Sequence, residues 1–463
     1  MKRSLTKSRI RFLRRILIFL GLSLPILYLG SFGRIIADEY CMCAHLLEQD
    51  QNVFAAAVSN IMPFSMLVQA IFSHWMLLNF GQSITSALAF VCFFWSTWFT
   101  AHRFLVFRSP QSGSSYFALS GTASFAVFVS ILLSAGLELL NLFEAFTQQT
   151  FVSQTFFRYP GVLVAHAAQL ALIGIVLWLA SLKRQIVALS IALSALVGLL
   201  AGLSHYLSAA LFAFLVVATY WKVVSNWRHK VPYNWEQVFR LGGTLAGLGL
   251  GLAISLFSDA AESRISQFEL QSRSVSLEDR FVSVVLDPIW VLTSLATFSV
   301  ALGLLVGFAL ERRFGLAAQL GLKTKSILKF LLLFLVFSLT VSLLASLVSY
   351  SAPWHGIAPR YLIAIFSVGV GMAITAQLSS RVAISRSASS LLGVLLVLGS
   401  YAGTWLWANE LPKAWASGPL PIQTVKAGPG SGIVWQDTDG VANLECYWKI
   451  EPYLVEKKSY LID

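Results

Sequence analysis

"MKRSLTKSRIRFLRRILIFLGLSLPILYLG", residues 1–30, decides how the rest of the chain is read. Seven Lys and Arg crowd into its first fifteen residues, and an almost uninterrupted apolar run follows. A helix needs roughly 20 apolar residues to cross the hydrocarbon of a bilayer, and basic residues stay on the cytoplasmic side. The stretch therefore predicts a membrane helix over 13–32 with its N-terminus inside. The run is too long for a cleaved signal and no small-residue cleavage site follows it, so a retained helix is expected.

The composition agrees. The 463 residues are 57% hydrophobic and 12% charged, with a mean hydropathy of +0.73, 34 Phe and 14 Trp. Soluble domains carry about 25% charged residues, so a polytopic membrane protein is predicted. Ten further stretches qualify as spans: 84–101, 117–138, 161–181, 185–204, 205–221, 239–258, 284–310, 327–350, 361–380 and 388–408. The fold class expected is an all-α polytopic membrane protein of about 11 transmembrane helices, N-in and C-out. Residues 1–408 form the transmembrane module, and 409–463 form a small C-terminal segment on the outer face.

The charges support this alternation. Of 33 Lys and Arg, 22 fall on the predicted inner side, whereas only Glu236 and Glu311 of the 21 acids do. The net charge of +12 is thus a topology signal and no nucleic-acid partner is implied. "NVFAAAVSNIMPFSMLVQAIFSHWMLLNF" (52–80) is apolar enough for a twelfth span, but a crossing there would invert every later loop. It is read as one or two amphipathic helices at the outer interface, with Trp75 as an aromatic anchor. The first outer loop, 33–83, is then long. Outer loops at 139–160, 259–283 and 350–360 add to it, while the inner connections are short and basic. The elaboration lies on the outer face, which is where function is expected.

Two outer features stand out. "RIIADEYCMCAHLLEQD" (34–50) sets Asp38 and Glu39 side by side just beyond the first span. They are either ordinary water-facing residues or carboxylates held for a purpose. At the hydrocarbon boundary a carboxylate can serve as a general base or hold a divalent ion. "YSAPWHGIAPRYLIAI" (350–365) places His355, Arg360 and Tyr361 at the start of the tenth span. Arg360 either snorkels toward headgroups or grips a specific lipid phosphate through its planar fork. Arg264 and Arg280 bracket the 259–283 loop and suit the same role, or pair with the acids nearby.

Other features have plainer readings. His74 and His166 suit hydrogen-bonded packing, and Glu138 and Glu144 suit interface solvation. "GGTLAGLGLG" (242–251) repeats GxxxG at Gly243/Gly247 and Gly247/Gly251, a pattern for close helix packing. Cys41 or Cys43 is free to pair with Cys446, since all three are predicted outside. No zinc spacing, nucleotide loop, zinc-protease helix or nucleophile elbow occurs. Ionisable residues deep inside spans and paired broken helices, which ion-coupled carriers use, are not evident.

"ADEYCMCAHLLEQDQNVFAA" after the first span resembles the opening outer loop of GT-C fold glycosyltransferases, in which an acidic pair precedes a helix leading into a membrane-hugging loop. "APRYLIAIF" is similar to the Arg-Tyr stretch that begins a late span in many bacterial members. Among these the chain looks closest to the uncharacterised bacterial multi-span branch. The resemblance implies transfer of a sugar from a polyprenyl-phosphate donor to an envelope lipid, glycan or protein acceptor, on the outer face of a bacterial plasma (inner) membrane, with inversion. It implies Asp38 and Glu39 as catalytic carboxylates and Arg360, Tyr361, His355, Arg264 and Arg280 around the donor phosphate. No cofactor is required, and dependence on Mg or Mn stays open, because no dense acidic cluster accompanies the pair. The alternatives are a lipid or polysaccharide flippase or permease, or an O-antigen-type polymerase or ligase.

Overall fold

The computed structural model describes residues 2–31, 62–108, 160–182, 187–204, 206–221 and 235–258, with shorter pieces within 116–128, 304–336, 368–375 and 423–436. Its labelled helices are α1 (Lys2–Gly30), α2 (Pro63–Ala70), α3 (Leu77–Arg108), α4 (Pro160–Ser181), α5 (Val187–Gly202), α6 (Tyr206–Thr219) and α7 (Trp235–Leu256). A short antiparallel hairpin, β1 (Gln423–Lys426) and β2 (Ile433–Gln436), pairs Gln423 with Gln436 and Lys426 with Ile433. Three of the helical stretches are long and apolar enough to cross a membrane: Ile84–Phe107, Leu163–Ser181 and Trp235–Leu256. The protein is a membrane protein built mainly from helices.

α1 is helical from residue 2, so its basic opening belongs to the same rod as the apolar run. Pro25 lies inside it without ending it, as membrane helices tolerate when neighbours re-satisfy the freed carbonyl. Many of its large side chains, among them Leu13, Leu17 and Leu24, are exposed. Its packed side meets α3, where Trp95 Nε1 donates to Ser23 Oγ at 2.9 Å and Phe19 stacks on both Trp95 and Trp98. At its far end Gly30 lets α1 approach closely, since a Cβ there would lie 2.7 Å from Ala87 Cα. Pairing Ser23 with Trp95 and Gly30 with Ala87 makes α1 and α3 antiparallel.

The 52–80 stretch departs from expectation in one respect. α2 falls within the stretch read as one or two amphipathic interfacial helices, and a π-helical turn over Ile71–Met76 joins it directly to α3. α2 and α3 are thus joined in one helical rod by a widened turn instead of a loop. Pro63 opens α2 at its first helical position, where a missing N–H costs nothing. Phe64 N–H donates to the Leu203 carbonyl at 3.0 Å, tying that opening to the end of α5. Trp75 is exposed within the π-turn and stacks edge-on against Phe80.

α3 carries an aromatic core of Phe90, Phe93, Phe94 and Trp98, met by Phe125 and Phe128 from the helical piece that follows. Gly121 packs under the Trp98 ring, and Trp98 Nε1 donates to the Phe117 carbonyl at 2.9 Å. α3 and α4 run parallel: Thr100 Oγ1 donates to the Leu170 carbonyl at 2.6 Å, and further along both helices Arg103 lies over the Trp178 ring.

α5 and α7 are also parallel, and here the repeated GxxxG acts as predicted. A Cβ on Gly247 or Gly251 would run into the carbonyl oxygens of Ala195 and Leu199. The partner helix answers with a second such pair, Gly198 and Gly202, whose added Cβ atoms would strike the carbonyls of Thr244 and Leu248. Backbones therefore touch, and dispersion contact replaces the hydrophobic drive that lipid does not supply. A similar contact recurs between the helical pieces at 304–312 and 368–375, where Gly307 faces the Val368 carbonyl and Gly371 the Leu304 carbonyl.

Candidate functional site

These contacts sort helices α1, α3, α4, α5 and α7 into two ends. Gly30, Ala87, Pro160, Leu203 and Leu256 lie toward one, and Arg15, Arg103, Ser181, Ser190 and Arg240 toward the other. Every described charged residue of α1 to α7 belongs to the second end. The described part of α1 ends at the first, at Ser31, seven residues before Asp38 in the sequence. There Ser31 caps α1, its N–H bonding to the Leu27 and Tyr28 carbonyls and its Oγ donating to Tyr28 at 2.6 Å. Gly30 against Ala87 and Phe90 fixes that end beside the opening of the Ile84–Phe107 stretch.

Asp38, Glu39, Arg264, Arg280, His355, Arg360 and Tyr361 all lie outside the described residues, as do Cys41, Cys43 and Cys446. His74 is helical, with its side chain outside the description. His166 is buried on α4, one turn from buried Gln169, in keeping with a packing role, although its Nδ1 has no hydrogen-bond partner among the described residues. Among the described residues no three His, Cys, Asp or Glu converge on a point.

The best-built polar constellation is one that sequence reasoning missed. Arg240, 2% exposed, sits at the first turns of α7. Its Nη2 pairs with Glu236 Oε1 one turn earlier on the same helix. Its Nε donates to Ser190 Oγ at 3.0 Å, and Nη1 donates to the Leu179 and Leu182 carbonyls at 2.5 and 3.3 Å. Leu179 and Leu182 end α4 and carry carbonyls that a helix C-terminus leaves unsatisfied. A cation there also meets the negative end of the helix dipole. Thr244 Oγ1 closes the arrangement by donating to the Arg240 carbonyl at 2.8 Å. One guanidinium thus caps α4, grips the first turn of α5 and is held by its own helix.

Four of the five N–H donors of Arg240 are accounted for by these bonds, which leaves little capacity to bind or polarise a substrate. The group is a structural strut. A signal existed in "WEQVFR" (235–240), because Glu and Arg four apart on a helix face each other. The spacing alone reads as a surface pair, and only the tertiary packing shows its burial.

A second cluster occupies the same end. Arg15 of α1 lies 5.6 Å from the Phe117 ring centroid, and His102 of α3 meets the same ring edge-on at 5.9 Å. Arg103 lies 5.2 Å from the Phe99 centroid and 6.0 Å from that of Trp178 on α4. Searches of family models and of curated proteins find no match to this sequence.

Proposed function

We propose that the protein is a membrane glycosyltransferase of the GT-C type, moving a sugar from a polyprenyl-phosphate donor to an envelope lipid, glycan or protein. The observation that carries this reading is the Asp38–Glu39 pair immediately beyond the first membrane helix, with Arg360 and Tyr361 opening a late one. The arrangement of the described charges is in keeping with it. Arg240 and Glu236 are consumed as a strut at the opposite end from the exit of α1, so the chemistry is sought in the outer loops.

The reaction asks for the residue types the outer loops offer. An acceptor hydroxyl attacks the anomeric carbon while the bond from that carbon to the phosphate oxygen breaks. The bonding electrons leave on polyprenyl phosphate, and the hydroxyl proton passes to a carboxylate, assigned to Asp38 with Glu39 beside it. Negative charge grows on the departing phosphate, and a fixed cation such as Arg360 stabilises it in the transition state. His355, Tyr361, Arg264 and Arg280 are assigned to the donor's surroundings. A single in-line displacement inverts the configuration at the anomeric carbon. The excess of Lys and Arg on the opposite side of the expected spans supports assigning this face to the outside of a bacterial plasma membrane. If Mg or Mn is used, Asp38 and Glu39 would hold it and it would supply positive charge for the departing phosphate.

Asp38→Asn in proteoliposomes tests the assignment. Loss of transfer with normal expression and an unchanged melting profile is expected. A fully active Asp38→Asn protein would remove this carboxylate from the mechanism.

A further inference from the structure

We infer that the end of the bundle opposite Ser31 carries a binding site for the phosphate headgroup of an anionic phospholipid, framed by Arg15, His102 and Arg103. Three observations converge on it. The first is charge without counter-charge. His102 lies within electrostatic reach of both Arg15 and Arg103, yet the described residues contain only two acids, Glu236 and Glu311. Glu236 is committed to Arg240. No ion pair joins Arg15 or Arg103 to a described carboxylate.

The second is unfilled hydrogen-bonding capacity. Arg103 Nε is a buried side-chain atom with no partner among the described residues, while His102 shares a backbone hydrogen bond with Tyr116 beside it. A half-buried guanidinium with an idle donor is costly where water is scarce. A phosphate oxygen is the acceptor that fits a planar fork best.

The third is depth and setting. Arg103 stands four residues inside the end of the Ile84–Phe107 stretch and Trp178 three residues inside the end of Leu163–Ser181. That is headgroup level, where Trp belts gather and where Arg side chains reach outward along apolar surface. The rings of Phe99, Phe117 and Trp178 hold the two guanidinium groups by their faces, which sets their direction without using up their donors. A basic pocket between membrane helices on the cytoplasmic side is the form that anionic lipid sites take. The leaflet is the inner one if the basic opening of α1 stays inside.

The full chain, purified and placed in nanodiscs, tests this by native mass spectrometry with phosphatidylglycerol and phosphatidylcholine as probes. The expected result is at least a tenfold preference for retaining phosphatidylglycerol. Arg15→Gln with Arg103→Gln should reduce its occupancy at least fivefold and leave phosphatidylcholine unchanged. Arg103→Lys keeps the charge and loses the fork, and should fall severalfold. The Arg9→Gln, Arg11→Gln control removes two charges from the same helix and should stay within twofold of the unmodified chain. Equal retention of the two lipids by the unmodified protein would overturn the site without any variant. So would a control that loses as much as the Arg15/Arg103 pair, since that describes diffuse surface charge. Displacement of the lipid by millimolar inorganic phosphate alone would make this a free-phosphate site and equally defeat the proposal.

Discussion

Two glycines on one helix should answer the same substitution with opposite signs. Gly242 and Gly247 both lie inside α7. A Cβ on Gly242 meets nothing within 4 Å. Alanine there removes the excess backbone freedom of glycine in the unfolded chain and should stabilise by about 0.5–1 kcal/mol. A Cβ on Gly247 would overlap the Ala195 carbonyl oxygen and lie 2.9 Å from both Ala195 C and Leu199 N. Those are backbone atoms of α5 and cannot rotate away, so α5 and α7 must separate locally. Overpacking of this kind costs about 1–3 kcal/mol, and separation also loosens the neighbouring contacts at Gly198, Gly202 and Gly251. After subtracting the same propensity gain, Gly247→Ala should be destabilising by up to ~2 kcal/mol, and since that gain is common to both variants they should lie about 1–3 kcal/mol apart. Thermal unfolding of the purified chain in one detergent, followed by tryptophan fluorescence, gives the comparison. Gly247→Ala should melt below the unmodified protein and Gly242→Ala at or above it. A Gly247→Ala protein that melts with or above Gly242→Ala would refute the backbone contact between α5 and α7.

The Arg240 node makes a related demand. Arg240→Ala strands Glu236, Ser190 and two carbonyls, and should cost about 3–5 kcal/mol by the same unfolding measurement. Arg240→Met combined with Glu236→Leu should recover part of that loss, and a double variant worse than Arg240→Ala would count against desolvation as its cause. Thr100→Val deletes one interhelical hydrogen bond to Leu170, a change of about 0.6 kcal/mol; a loss several times larger would mean that Thr100 does more than this bond. For the side assignment, a reporter fused after Asp463 should signal from outside the cytoplasm, and a cytoplasmic signal would reverse the topology.

How much of this was legible in the sequence differs from feature to feature. The apolar run after Arg15 and the abutting stretches at 185–204 and 205–221 are local patterns, and local patterns survive folding. GxxxG at Gly243, Gly247 and Gly251 was readable because only glycine permits backbones to touch, although the matching Gly198/Gly202 pair went unread. The start of α7 at Trp235, four residues before the apolar run, was not legible from hydropathy. Glu236 and Arg240 look like a boundary until α4 and α5 are seen closing around them. The fusion of α2 to α3 was hidden for another reason: a π-turn has no strong residue signature, unlike a Gly or Pro break. The proposed site itself, from Asp38 to Tyr361, depends on loops far apart in sequence and lies outside the described residues. Its support remains the residue types and their positions.

The central claim is that the lipid-linked sugar is consumed and not merely moved. Purified protein reconstituted in vesicles with a radiolabelled polyprenyl-phosphate-sugar and an envelope extract as acceptor separates the two. We predict release of polyprenyl phosphate matched by label in the acceptor, with the sugar's anomeric configuration inverted. Passage of the intact donor from one leaflet to the other, with no polyprenyl phosphate released, would contradict the account and mark the protein as a carrier.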